Sequence, residues 1–145
     1  MRSLVFVALF SVVVSAQFSI PPPRDVAAPS TDATKTATGL AFKVTKPGVG
    51  TEHPKPTDLV QVNYTGWTTD GKMFETSLGH GVVTMVLNSR IPGWVEGVQL
   101  MVPGETRLLW IPEALAYKGQ RGPKGMVVYE IELIGSMPNS KPKSN

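Results

Sequence analysis

The stretch from Val60 to Glu75, VQVNYTGWTTDGKMFE, constrains the fold of this 145-residue chain more than any other. Val60, Val62 and Tyr64 alternate with Gln61, Asn63 and Thr65, the period-two pattern of a strand buried on one face. Asp70-Gly71 supplies a two-residue turn, since glycine takes positive φ freely and aspartate tolerates it. Met73 and Phe74 then resume an apolar run. The spacing predicts a strand, a turn and a returning strand, with Tyr64 and Phe74 close together on the inner face. No residue in the stretch is an evident nucleophile or base. It offers an aromatic, mostly apolar, concave surface with a few polar handles.

The chain on either side extends this into a sheet. Leu40, Phe42 and Val44 alternate within Gly39–Lys46, a first strand closed by Pro47-Gly48. Residues 82–87 (VVTMVL), 105–111 (ETRLLWI) and 126–134 (MVVYEIELI) read as further strands, and Val127, Tyr129, Ile131 and Leu133 share one face of the last. Between them lies RIPGWVEGVQLM, residues 90–101, where Trp94, Val98 and Met101 recur at helical spacing and Pro92 suits a helix start. The fold class expected is α+β: a curved antiparallel sheet of five to six strands wrapped on one short helix. A pocket forms where the helix start meets the strand ends, nearest Tyr64, Phe74, Trp94, Tyr117 and Tyr129.

Composition bounds the rest. The chain has no cysteine, which excludes disulfides and thiol chemistry. His53 and His80 are far apart with no second ligand at metal spacing, so no metal or other cofactor is expected. A net charge of +3, with the late lysines and arginines not interleaved with aromatics, argues against nucleic acid as a partner.

The first 16 residues, one arginine and an apolar run from Leu4 to Val14 ending in Val14-Ser15-Ala16, have the layout of a secretory signal peptide. That run is short for a bilayer span, so no stable membrane insertion is expected once it is cleaved. Residues 17–38, rich in Pro, Ala, Ser and Thr, read as an extended linker, residues 39–136 as the domain, and residues 137–145 as a polar tail. Asn63-Tyr64-Thr65 matches a glycosylation acceptor, but inside a strand.

Three motifs together carry a family resemblance. V-x-V-x-Y-T-G, D-G-K-x-F-[DE]-x-S spans Val60–Ser77; I-P-G-W-x-E-G-[VL]-Q-x-M spans Ile91–Met101; and G-E-x-x-x-L, I-P-x-x-L-A-Y spans Gly104–Tyr117, before a closing V-x-Y-E-[IV]-E-L. The chain resembles the FKBP-type peptidyl-prolyl cis-trans isomerases, the macrolide-binding immunophilins. The resemblance implies a pocket with Trp94 as floor and Tyr64, Phe74, Ile91 and Tyr129 as walls. It implies that the Ile91 N–H and the Tyr117 hydroxyl bond substrate or macrolide carbonyls. Glu75 stands where the family usually has aspartate, paired with the hydroxyl of Tyr64. Partners so implied are proline-containing polypeptide clients and macrolides of the rapamycin kind. A monomer is expected, placed by the signal-peptide layout in the secretory pathway: secreted, periplasmic or in the endoplasmic reticulum lumen. Val83 and Met85 replace aromatics, and the loop Lys118–Gly125 lacks the usual overhanging segment, so a more open site is expected. A non-catalytic module that holds proline-containing segments is the rival reading.

Overall fold

Val60, Val62 and Tyr64 alternate because they lie on β3 (Leu59–Thr68), the strand with most neighbours in the sheet. A computed structural model describes residues 18–140. In it β3 pairs on one side with β7 (Val127–Met137), and on the other with β4 (Met73–Thr76) at one end and β5 (Val83–Val86) at the other. Beyond β7 lie β6 (Thr106–Ile111), β2 (Ala41–Lys46) and β1 (Thr34–Lys35), every pairing antiparallel. The fold is α+β, as expected, with seven strands rather than five or six. The additional strand, β1, comes from the segment whose composition suggested a linker.

The turn joining β3 to β4 holds three residues, not two. The Gly71 N–H donates to the Thr68 carbonyl and the Thr68 N–H to that of Lys72, each at 2.9 Å, with Gly71 at φ 85°. This is a hairpin loop closed by a glycine bulge. The extra residue lets β4 bring Phe74 back beneath Tyr129.

Helix α1 (Pro92–Gln99) covers the concave face. Pro92 sits in its first turn, where the missing N–H has no helical acceptor in any case. Gly93 and Gly97 allow it to seat closely. A Cβ at either position would lie 2.4 Å from Ile111 Cγ2 or 2.6 Å from Leu109 Cδ1. The concave core joins Trp94 and Val98 of the helix to Val60, Val62, Leu109, Ile111, Val127, Tyr129, Ile131 and Leu133. Burial of this continuous apolar face is the main stabilising term.

The convex face is also covered. Residues 18–38 cross it as a strap, unlike the free spacer expected from their composition. Trp67 donates its indole N–H to the Ile20 carbonyl at 2.9 Å, and Trp110 donates to that of Asp25 at 2.8 Å. Val26 and Ala33 pack on Ala41, Leu108, Trp110 and Val128. Two outward tryptophans need both apolar cover and an acceptor, and an extended proline-rich segment supplies them with unpaired carbonyls. The leader at residues 1–16 and the last part of the tail lie outside the described residues.

A candidate peptide-binding site on the concave face

Five aromatic rings meet where the start of α1 abuts β3, β4 and β7. Tyr64 and Trp94 lie edge to face at 5.0 Å, Trp94 and Tyr129 at 5.3 Å, Phe74 and Tyr129 at 5.6 Å, and Phe74 and Tyr117 at 6.0 Å. These are favourable arrangements for aromatic pairs. The register explains the meeting: Gly66 pairs with Tyr129 on β7 and with Glu75 on β4. A Cβ at Gly66 would stand 2.7 Å from Tyr129 Cε1 and 2.9 Å from Phe74 Cζ. Glycine is the residue that lets both rings close over the strand.

A charged network crosses the rings. Arg90 forks onto Glu75, Nη1 to Oε1 at 2.9 Å and Nη2 to Oε2 at 3.0 Å. The Tyr129 hydroxyl donates to Glu75 Oε2 at 2.5 Å, and the Tyr117 hydroxyl lies 2.7 Å from that of Tyr129. A phenol has one proton, so with Tyr129 donating to Glu75, Tyr117 donates to the Tyr129 oxygen. Burial alone would raise the pKa of Glu75, but the bonds from Arg90 and Tyr129 outweigh it and hold the carboxyl below its ordinary range. Burial likewise works against the Arg90 charge, and Glu75 more than restores it. Burial, then the Glu75 charge, push Tyr64 and Tyr129 up, and burial foremost raises Tyr117. At neutral pH the site therefore holds an ion pair and three neutral phenols.

Tyr64, Phe74, Glu75, Ile91, Trp94, Tyr117 and Tyr129, separated by up to 65 positions in the chain, thus converge on one place. Ile91 caps α1, its carbonyl accepting from the Trp94 and Val95 N–H groups. Its own N–H has no acceptor among the described residues. Three features differ from expectation. The phenol closest to Glu75 is that of Tyr129, because β7 sets it directly over the carboxylate, while Tyr64 interacts with the same carboxylate more weakly. The floor is not open: Trp94 is 0% exposed. The loop after Tyr117, though short, lays Gly122 against the Tyr117 ring.

Arg90 is the residue that sequence reasoning missed. Its guanidinium carbon lies 4.3 Å from the centre of the Trp94 ring, 5.2 Å from that of Tyr64 and 5.9 Å from that of Tyr129. Local spacing carries no signal for it, because Arg90 lies in extended backbone ahead of α1 and meets Glu75 only through the fold.

Known proteins resemble this chain in sequence and in fold. Residues 50–134 match the family model of the FKBP-type peptidyl-prolyl cis-trans isomerases. An FKBP-type peptidyl-prolyl cis-trans isomerase FkpA from Aeromonas hydrophila is 43% identical over 105 residues, 68% of this chain and 38% of that protein. A macrophage infectivity potentiator from Trypanosoma cruzi is 38% identical over 110 residues, 71% of this chain and 56% of the relative. The chain therefore spans well under two thirds of these relatives. Among solved structures, FkpA from Escherichia coli superposes with a TM-score of 0.70 at 35% identity, covering 77% of this chain and 54% of that one. AtFKBP13 does so with 0.64 at 30% identity, covering 73% and 99%. With its motifs, its sheet and helix, and this match across the domain, the chain belongs to the FKBP-type peptidyl-prolyl cis-trans isomerase family.

Proposed function

We propose that this chain is a peptidyl-prolyl cis-trans isomerase that rotates Xaa–Pro bonds in exported polypeptides, at the site formed by Tyr64, Phe74, Glu75, Ile91, Trp94, Tyr117 and Tyr129. The observation that carries the reading is the convergence of five aromatic rings around one tyrosine-bonded carboxylate. Rotation needs no nucleophile and no proton transfer. It needs the amide to lose its resonance, a barrier of about 18–20 kcal/mol. An apolar site disfavours the charge-separated planar amide and binds the twisted one better, which is differential binding of the transition state. The unpaired Ile91 N–H suits a substrate carbonyl, and Tyr117 reaches one by turning its proton away from Tyr129. The proline ring is received on Trp94.

Export is supported by the leader-like first 16 residues and by a relative from Legionella longbeachae, 36% identical over 102 residues, whose name is outer membrane protein MIP. Macrolides of the rapamycin kind belong to the same proposal, as ligands for the same rings. The test is a prolyl isomerisation assay on the chain from Gln17 with Ala-Xaa-Pro-Phe peptides, with and without rapamycin. Turnover above the thermal rate, blocked by rapamycin and lost in Trp94→Ala, is the expected result. A folded sample with no turnover on any peptide overturns it. One observation favours a second reading, a binding module without catalysis: the floor of the site is fully covered in the resting protein.

A further inference from the structure

We propose that Arg90 is the specificity-determining residue of this site, a resident occupant of the Trp94 face that a client displaces and then pairs with through a carboxylate beside its proline. The proposal rests on the reading above that Trp94 receives the proline ring. A guanidinium 4.3 Å over that ring and a proline ring cannot share the space. Trp94 is 0% exposed, so its face is reached only by moving a neighbour, and Arg90 is the one that lies over it with a charge.

The occupant is well held but incompletely satisfied. Its two terminal nitrogens bind Glu75, yet its Nε is buried with no partner, and so is the indole N–H of Trp94 beneath it. Orphaned buried donors mark an arrangement that a ligand can improve. Displacement also treats the two partners unequally. Glu75 keeps the Tyr129 hydroxyl. Arg90 keeps no carboxylate. A planar, permanently charged fork leaving one carboxylate is matched by another. A client with Glu or Asp next to its proline supplies it at the mouth, an apolar neighbour leaves the cation unpaired, and a basic neighbour adds repulsion. The chemistry at the rim therefore sorts clients by charge, over a floor that sorts only for proline.

Binding of Ala-Glu-Pro-Phe, Ala-Gln-Pro-Phe and Ala-Lys-Pro-Phe, followed through the Trp94 indole N–H resonance, tests this without requiring turnover. The wild-type protein is expected to favour Glu over Gln by about tenfold, the scale of one charge-assisted bond, with Lys weakest and the preference shrinking in high salt. In Arg90→Leu the three peptides converge and the Gln peptide binds several-fold tighter than to wild type. Equal affinity of the wild-type protein for Glu and Gln peptides overturns the proposal, and that arm needs no variant to fold. So does a Glu preference that survives in folded Arg90→Leu. Charge sorting without turnover on any peptide leaves the role of Arg90 standing and removes the isomerase reading instead.

Discussion

Tyr129, on β7, donates its hydroxyl to Glu75, on β4, at 2.5 Å, although β3 lies between the two strands. The bond passes over Gly66, the one position in the row without a side chain to obstruct it. Tyr129→Phe removes a donor to a half-buried carboxylate and is expected to lower stability by about 1–3 kcal/mol. Tyr64→Phe, whose hydroxyl does not make that bond, is expected to cost under about 1 kcal/mol. Urea unfolding of both variants separates them; equal losses would place Tyr64 in the network instead.

Gly66→Ala asks the rings to yield. A methyl group 2.7 Å from Tyr129 and 2.9 Å from Phe74 forces both off their seats, at an expected cost of about 1–3 kcal/mol. Prolyl isomerisation by this variant is expected to fall further than the fraction of folded protein does, because the same rings form the proposed site. Activity that tracks folded fraction alone would show that their placement is not critical.

The pH dependence follows from the directions of the shifts. A carboxyl held low, as Glu75 is, stabilises the folded state above its unfolded pKa of about 4.3, and that contribution is lost as pH falls through the lower folded value. The raised phenols act at the other end. Their contribution is complete below about pH 10 and declines as pH climbs past it toward their folded values. Between about pH 6 and 9 none of these groups titrates, so turnover should be flat across that window. A break inside it would mean that Glu75 is not paired as described.

Removal of residues 18–38 should destabilise the domain. Trp67 and Trp110 would lose their acceptors, and Leu108 and Val128 would lose their cover, an expected loss of about 2–4 kcal/mol. Thermal unfolding of chains starting at Phe18 and at Gly39 measures it. An unchanged midpoint would restore the spacer reading of this segment.

The strands, the helix and the meeting of the seven candidate site residues were legible because each leaves a local trace: period-two valines before Tyr64, Pro92 ahead of Trp94, alternating apolar residues around Tyr129. What was hidden depends on partners distant in the chain. Arg90 reads as a surface cation until β4 brings Glu75 beside it, 15 positions away. Tyr129 reads as core, which it is, and only the register shows that its hydroxyl faces a carboxylate. The strap has the composition of a spacer because it bonds through main-chain carbonyls, which side-chain identity does not report. Asn63 reads as a glycan acceptor, yet its amide donates to Glu132 across the ladder at 3.0 Å.

The strap also fixes an orientation. Successive strand residues point to opposite faces, so Trp67, which anchors Ile20, looks away from the side on which Tyr64 and Trp94 meet. The polypeptide therefore enters the domain from behind. A surface, bead or fusion partner attached ahead of Phe18 would leave the mouth turned outward, unshadowed by its own tether. Immobilised in that direction, the proposed site faces the solution.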